Sequence, residues 1–209
     1  MKDYNEDQYD LLRELTNIAI GQAAAGLDGM LNTTVDISIP KVSMVSFTDM
    51  RGKFLEIYAS FSEVSVVRQA FDGLLNGEAL LIFGEEAMST VAVLLGEDVA
   101  LSLEREQALL HETSHILANA CLNGLADSLE SEINITQSSL FCLQKPFMDF
   151  LNDLFPRGKR VSAWKYSLLI NVILKARTSN FDCFIVIFLL EPSIDKLRCH
   201  LDKLIEEEY

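Results

Sequence analysis

The chain has 209 residues, 49% of them hydrophobic, with 31 acidic against 17 basic side chains and a formal net charge of −14. That length and apolar content suffice for a sizeable core, and suit one large domain or two small intertwined halves, of which the single domain is preferred here. The charge opposes generic binding to nucleic acid or to an anionic membrane, and would steer a basic protein partner towards the chain.

From about Asn5 to Leu31 the apolar residues Leu11, Leu15, Ile18 and Leu12, Ala19, Ala23 recur at helical spacing, which predicts a long amphipathic helix. Gly21, Gly26 and Gly29 interrupt it at a cost in helix stability, and packing against a neighbour is the expected reason. Thr33–Val45 is rich in β-branched residues and reads as a strand that bends or ends at Pro40. Two further strands are expected over Lys53–Ser62 and Val64–Asp72. An Asn76-Gly77 turn then leads into a strand at Leu80–Phe83. Glu85–Leu95 reads as a helix closed by Gly96.

The second half repeats that order. Glu104–Leu129 is a second long helix, Ile133–Leu143 a strand, and Phe147–Leu154 a short inserted helix. Val161–Lys175 and Asp182–Glu191 are strands, the latter apolar enough over Phe184–Leu190 to lie in the centre of a sheet. Pro192 opens a closing helix that runs to about Glu207. Cys121, Cys142, Cys183 and Cys199 form no C-x-x-C pair and read as thiols in a reducing compartment, most of them buried. The polar N-terminus is not a secretory signal, and no apolar run reaches the ~18 residues a membrane span needs. A cytoplasmic protein without membrane insertion is expected.

On the polar side of the first helix, Asp10, Glu14 and Asn17 fall within about 60° of one another, and Pro40 follows downstream. A polar stripe alone is ordinarily a solvated helix face. A second copy of the frame changes its weight: an offset of 98 residues, the separation of Glu14 from Glu112, also matches Leu11, Leu12, Ile18, Gly26, Leu27, Leu31 and Ile37 with identical residues. Two related halves, about 5–96 and 103–209 within one domain spanning 1–209, are the natural reading. The packing positions agree while the polar ones diverge: Asp10 becomes Ala108, Asn17 becomes His115, and Pro40 becomes Ser138. The first copy is intact and the second degenerate.

The pattern D-x3-E-x2-N-x22-P resembles the active-site signature of the CheC, CheX and FliY family of chemotaxis phosphatases. Asp10, Glu14, Asn17 and Pro40 match that signature position by position. The resemblance implies an α+β fold, a CheC-like pseudo-two-fold sandwich with two long helices packed on a mostly antiparallel sheet. It implies hydrolysis of the aspartyl phosphate of a CheY-like response regulator, with Asn17 positioning water and Glu14 engaging a lysine of the partner. Asp10 would contact the partner or help to place Glu14, and Pro40 would shape the strand beneath. No cofactor is implied, since the divalent metal belongs to the regulator. The alternative is an adaptor that binds a phospho-receiver or a CheD-like deamidase without turnover.

One competing motif overlaps the second copy. His111, Glu112 and His115 spell H-E-x-x-H, the spacing of two zinc ligands on one helix face. Ala118 and Cys121 stand where the glycine and third histidine of the longer motif would be, leaving Glu130, Glu132 or His200 as third ligands. The repeat already accounts for Glu112, so no metal site is assigned and His115 is expected to pack or hydrogen-bond locally.

Overall fold

The computed structural model describes residues 4–31, 34–38, 41–58, 61–97, 100–136, 138–156, 166–176 and 181–207. Helix α1 (Glu6–Leu31) opens on a reciprocal capping box. Asn5 Oδ1 accepts from Gln8 N at 2.8 Å, and Gln8 Oε1 accepts from Asn5 N at 2.9 Å, so two donors that a helix start leaves bare are satisfied. Leu12, Leu15, Ala19, Ala23, Leu27 and Leu31 form its buried stripe. Ile18, expected in that stripe, is 50% exposed, because it lies about 120° round the helix from Leu12.

After α1 come β1 (Val35–Ile37), β2 (Lys41–Ser46), α2 (Phe47–Tyr58), β3 (Glu63–Gly73), β4 (Gly77–Gly84) and α3 (Ala87–Leu94). The same order of element types then recurs: α4 (Leu103–Ser128), β5 (Ile133–Ile135), β6 (Ser139–Pro146), α5 (Phe147–Leu154), β7 (Tyr166–Ala176), β8 (Asp182–Leu189) and α6 (Glu191–Glu207). The single strand expected over Thr33–Val45 is divided into β1 and β2, and Pro40, where it was expected to bend or end, lies outside the described residues. Residues 161–165, with Trp164, also lie outside them, so β7 is described from Tyr166.

Three expectations are corrected. The strand over Lys53–Ser62 is the body of α2, where Met50, Phe54 and Tyr58 are buried at four-residue intervals, a helical period. Phe147–Leu154 is consequently no insertion but the counterpart of α2. Gly77 does not form a turn: it sits in β4, where an added Cβ would lie 2.1 Å from Phe188 O, and the positive φ of 133° falls on Gly73 instead. That glycine serves close strand pairing.

Every strand pairing among the described residues is antiparallel, and the order is β1-β7-β8-β4-β3-β5, with β2 also on β7 and β6 also on β3. Each half therefore places its first two strands on the outer edge of the other half's hairpin. β2 holds one register on β7, whereas β6 slips twice against β3, between Val64 and Val66 and between Val66 and Val67. Those slips are β-bulges, and they coincide with a lengthening of the repeat offset from 98, for Glu14 and Glu112, to 100, for Phe47 and Phe147.

The two central strands alternate strictly. Leu81, Phe83, Ile185 and Ile187 face the core under α1, α3, α4 and α6, whereas Leu80, Ile82, Phe184, Val186 and Phe188 face the core under α2 and α5. This is the two-residue period of a sheet covered on both faces. Phe54 stacks on Phe188 at 5.9 Å between ring centroids, and Tyr58 meets Phe184 edge-on at 4.8 Å, distances at which aromatic pairs attract.

Candidate active site

Two anchors fix the start of α1 and with it the polar face. Tyr4 Oη donates to the Ile194 carbonyl at 2.9 Å, and Gln8 Nε2 donates to Asp202 Oδ1 at 2.5 Å. Both partners are on α6, so the first turns of α1 are tied to the C-terminal helix. Further along, the pairing with α4 runs in the opposite chain direction: Gly26 faces Ile116, while Gly124 faces Ala19. Glycine permits the close approach here, because a Cβ on Gly124 would lie 2.8 Å from the Ala19 Cα.

Asp10, Glu14 and Asn17 are all exposed on α1, and they share one side of it. Among the described residues neither Glu14 nor Asn17 takes a side-chain partner. Asp10 differs, since its Oδ1 pairs with the guanidinium of Arg13, which also lies over the Tyr9 ring at 5.8 Å. Arg13 is about 100° round the helix from Glu14, so this pairing draws Asp10 away from Glu14. Both side chains of the pair are largely in solvent, which makes such an ion pair weak and exchangeable. Arg13 was not singled out from the sequence, although its i+3 spacing from Asp10 is the signal that would have found it. Pro40 lies outside the described residues.

The corresponding face of α4 differs in charge and in its hydrogen bonds. Ala108, Glu112 and His115 are exposed there, and Asn119 Nδ2 hydrogen-bonds the His115 ring, 2.9 Å from Nε2. Arg105, at the position of Asp7, pairs with Glu97 through Nε at 2.8 Å, and that hydrogen bond holds the Glu97 carboxyl below its usual range. Glu112 lies within electrostatic reach of the same guanidinium. Among the described residues no three His, Cys, Asp or Glu side chains converge as metal ligands, so His111 and His115 find no third partner in Glu130, Glu132 or His200. The antiparallel packing of α1 on α4 separates Glu14 from Glu112 by roughly 24 Å along the helix pair.

The first face is thus a free carboxylate and a free amide on α1, with Glu6, Asp7 and the Asp10–Arg13 pair beside them. Such a set can receive a cation and order a water, but it contains no strong nucleophile. Residues 8–44, which hold this face, match the model of the CheC-like family. Over 129 residues, 58% of this chain, it is 29% identical to the CheY-P phosphatase CheC of Bacillus subtilis (strain 168), and the match spans only 60% of that relative's length. The crystal structure of Thermotoga maritima FliY superposes with a TM-score of 0.71 at 18% identity, covering 97% of this chain and 99% of FliY. The Borrelia burgdorferi CheX-CheY-BeF3-Mg+2 complex matches with a TM-score of 0.50 at 16% identity, covering 90% of this chain and 99% of the matched chain. These structural likenesses establish an α+β, CheC-like fold with α1 and α4 packed on the sheet. Among the described residues, no helix is long and apolar enough to cross a membrane.

Proposed function

We propose that this protein hydrolyses the aspartyl phosphate of a CheY-like response regulator, and that the α1 face is its active site. The observation that carries the reading is the pairing of an unpartnered Glu14 with an unpartnered Asn17, one turn apart on α1, inside the stretch that matches the CheC-like family. An acyl phosphate is already reactive, so hydrolysis chiefly requires a water held in line with phosphorus. Asn17 does this by hydrogen bonding. Water attacks phosphorus, the bond from phosphorus to the aspartyl oxygen breaks, and aspartate and inorganic phosphate result, with the water's proton passing to the products.

Glu14 accepts a lysine of the receiver, which fixes the partner's orientation and draws that cation away from the phosphate. Asp10 serves the same partner contact once its pairing with Arg13 is exchanged. Pro40 shapes the chain after α1. The divalent metal of the reaction sits on the receiver, and the protein works in the cytoplasm in chemotaxis or a related two-component pathway. The face on α4, with Glu112 and His115, lacks the acceptor set and is inactive in this reaction.

Phosphate release from a CheY-type receiver, with and without the protein, tests the assignment. Wild type accelerates release, Asn17→Ala returns it to the receiver's own rate, and Glu14→Ala raises the protein concentration needed for half-maximal effect about tenfold, the loss expected for one charged contact. Undiminished acceleration by Asn17→Ala would overturn the role of Asn17. Tight binding of the phospho-receiver, or of a CheD-like deamidase, with no acceleration would make the protein an adaptor instead.

A further inference from the structure

Of the three glycines that interrupt α1, only Gly26 is explained by packing: a Cβ there would meet Ile116 Cγ2 at 3.3 Å, whereas a Cβ on Gly21 or Gly29 would meet nothing within 4 Å. No contact among the described residues therefore requires glycine at position 21, and alanine would make a more stable helix. The position is nonetheless special. Gly21 is only partly exposed, and it follows Asn17 by four residues on the same side of α1, about 6 Å further along the axis.

Helical side chains lean towards the N-terminus and cover the turn before their own Cα. A Cβ on residue 21 would stand in open space more than 4 Å from the Asn17 side chain, and a longer side chain there would lean back towards Asn17. We infer that Gly21 is a positioning residue for the same site: its missing side chain opens a gap beside Asn17, into which the main chain around the receiver's phosphorylated aspartate enters. The gap suits a backbone and a phosphate, because the exposed residue one turn beyond is the small Ala25. The acids Glu6, Asp7 and Asp10 lie at the other end of the face, where the receiver's cation is received.

The inference rests on the phosphatase reading, and the following comparison separates the two. Gly21→Ala, Gly21→Gln, Gly29→Ala and Asn17→Ala are each measured for thermal midpoint, for phosphate release from a CheY-type receiver, and for binding of that receiver charged with beryllofluoride. Gly21→Ala and Gly29→Ala both raise the midpoint by about 2–4 °C, the shift expected when a helical glycine becomes alanine in a chain of this size. Gly29→Ala leaves phosphate release unchanged. Gly21→Ala slows release about tenfold and weakens binding, and Gly21→Gln removes the acceleration as completely as Asn17→Ala does. A stabilised Gly21→Ala protein with wild-type release and binding would overturn the inference while leaving the phosphatase reading intact. Failure of wild type to accelerate release or to bind would overturn both.

Discussion

Cys121, Cys142, Tyr4 and Tyr58 set how the protein responds to alkali. Burial pushes the Cys121 thiol up to about 12 and the Cys142 thiol to about 11, from an ordinary value of 9.0. It also raises both phenols well above their ordinary 10.0. The sign follows from which state loses protons first. Below about pH 9 both folded and unfolded chains keep these protons, and stability does not depend on pH through them. Above it the unfolded chain ionises while the native one does not, so the unfolded state binds fewer protons and stability falls as pH rises. Urea midpoints measured at pH 7, 8.5 and 10.5 should be level between the first two and clearly lower at the third, and Cys121→Ala should reduce that alkaline loss. At this same scale the candidate site was largely legible. Glu14 and Asn17 lie within one helix, so spacing alone placed them on one side, and a repeat with a degenerate copy marked them out. The Arg13 contact to Asp10 was not legible, because rotamers of long exposed side chains leave no periodic trace.

Between elements, the crossing of α1 and α4 rests on two glycines that occupy equivalent positions but carry different loads. A Cβ on Gly124 would fall 2.8 Å from the Ala19 Cα, which is backbone and cannot turn aside, whereas the Ile116 methyl opposite Gly26 can shift by a few tenths of an ångström. Gly124→Ala should therefore destabilise the protein by about 1–3 kcal/mol, the usual range for overpacking. Gly26→Ala should change stability by less than about 1 kcal/mol, since the better helix propensity offsets the tighter contact. Thermal midpoints of the two variants decide the matter, and equal losses would mean that the helices separate as easily at both points. The long helices were plain in the sequence because apolar residues recur in them at helical spacing and Leu11, Leu12, Glu14, Ile18, Gly26, Leu27 and Leu31 recur at one offset. α2 was not, because Lys53–Ser62 holds Phe54, Leu55, Ile57 and Tyr58 close together in a short stretch, a composition that suits a strand equally well. The bulges in β6 had shifted the offset by two just there, which hid the match between Phe47 and Phe147.

In the whole molecule the halves exchange edges. Among the described residues β1 and β2 pair only with β7, β5 and β6 pair only with β3, and β4 meets β8 at the centre. Add the α1–α4 contact, and the first half alone would lose the partner of every strand except its own β3–β4 hairpin, while α1 would expose its buried stripe. A two-stranded hairpin is marginal in water, and α1, α2 and α3 would have only those two strands to cover, with the apolar residues they now bury against β7, β8 and α4 left in solvent. The same reasoning explains why α4 keeps Leu109, Leu110, Gly124 and Leu125 although its polar face has diverged: these residues seat the helix that carries Glu14 and Asn17. Fragments 1–97 and 100–209, prepared separately, should each lack a cooperative urea transition. Mixed at equal concentration, they should recover native-like far-ultraviolet circular dichroism and sediment as a one-to-one complex, and the intact chain should unfold in a single transition seen alike by circular dichroism and by fluorescence. Cooperative unfolding of either fragment on its own would show instead that the exchanged edges are an addition to halves already stable.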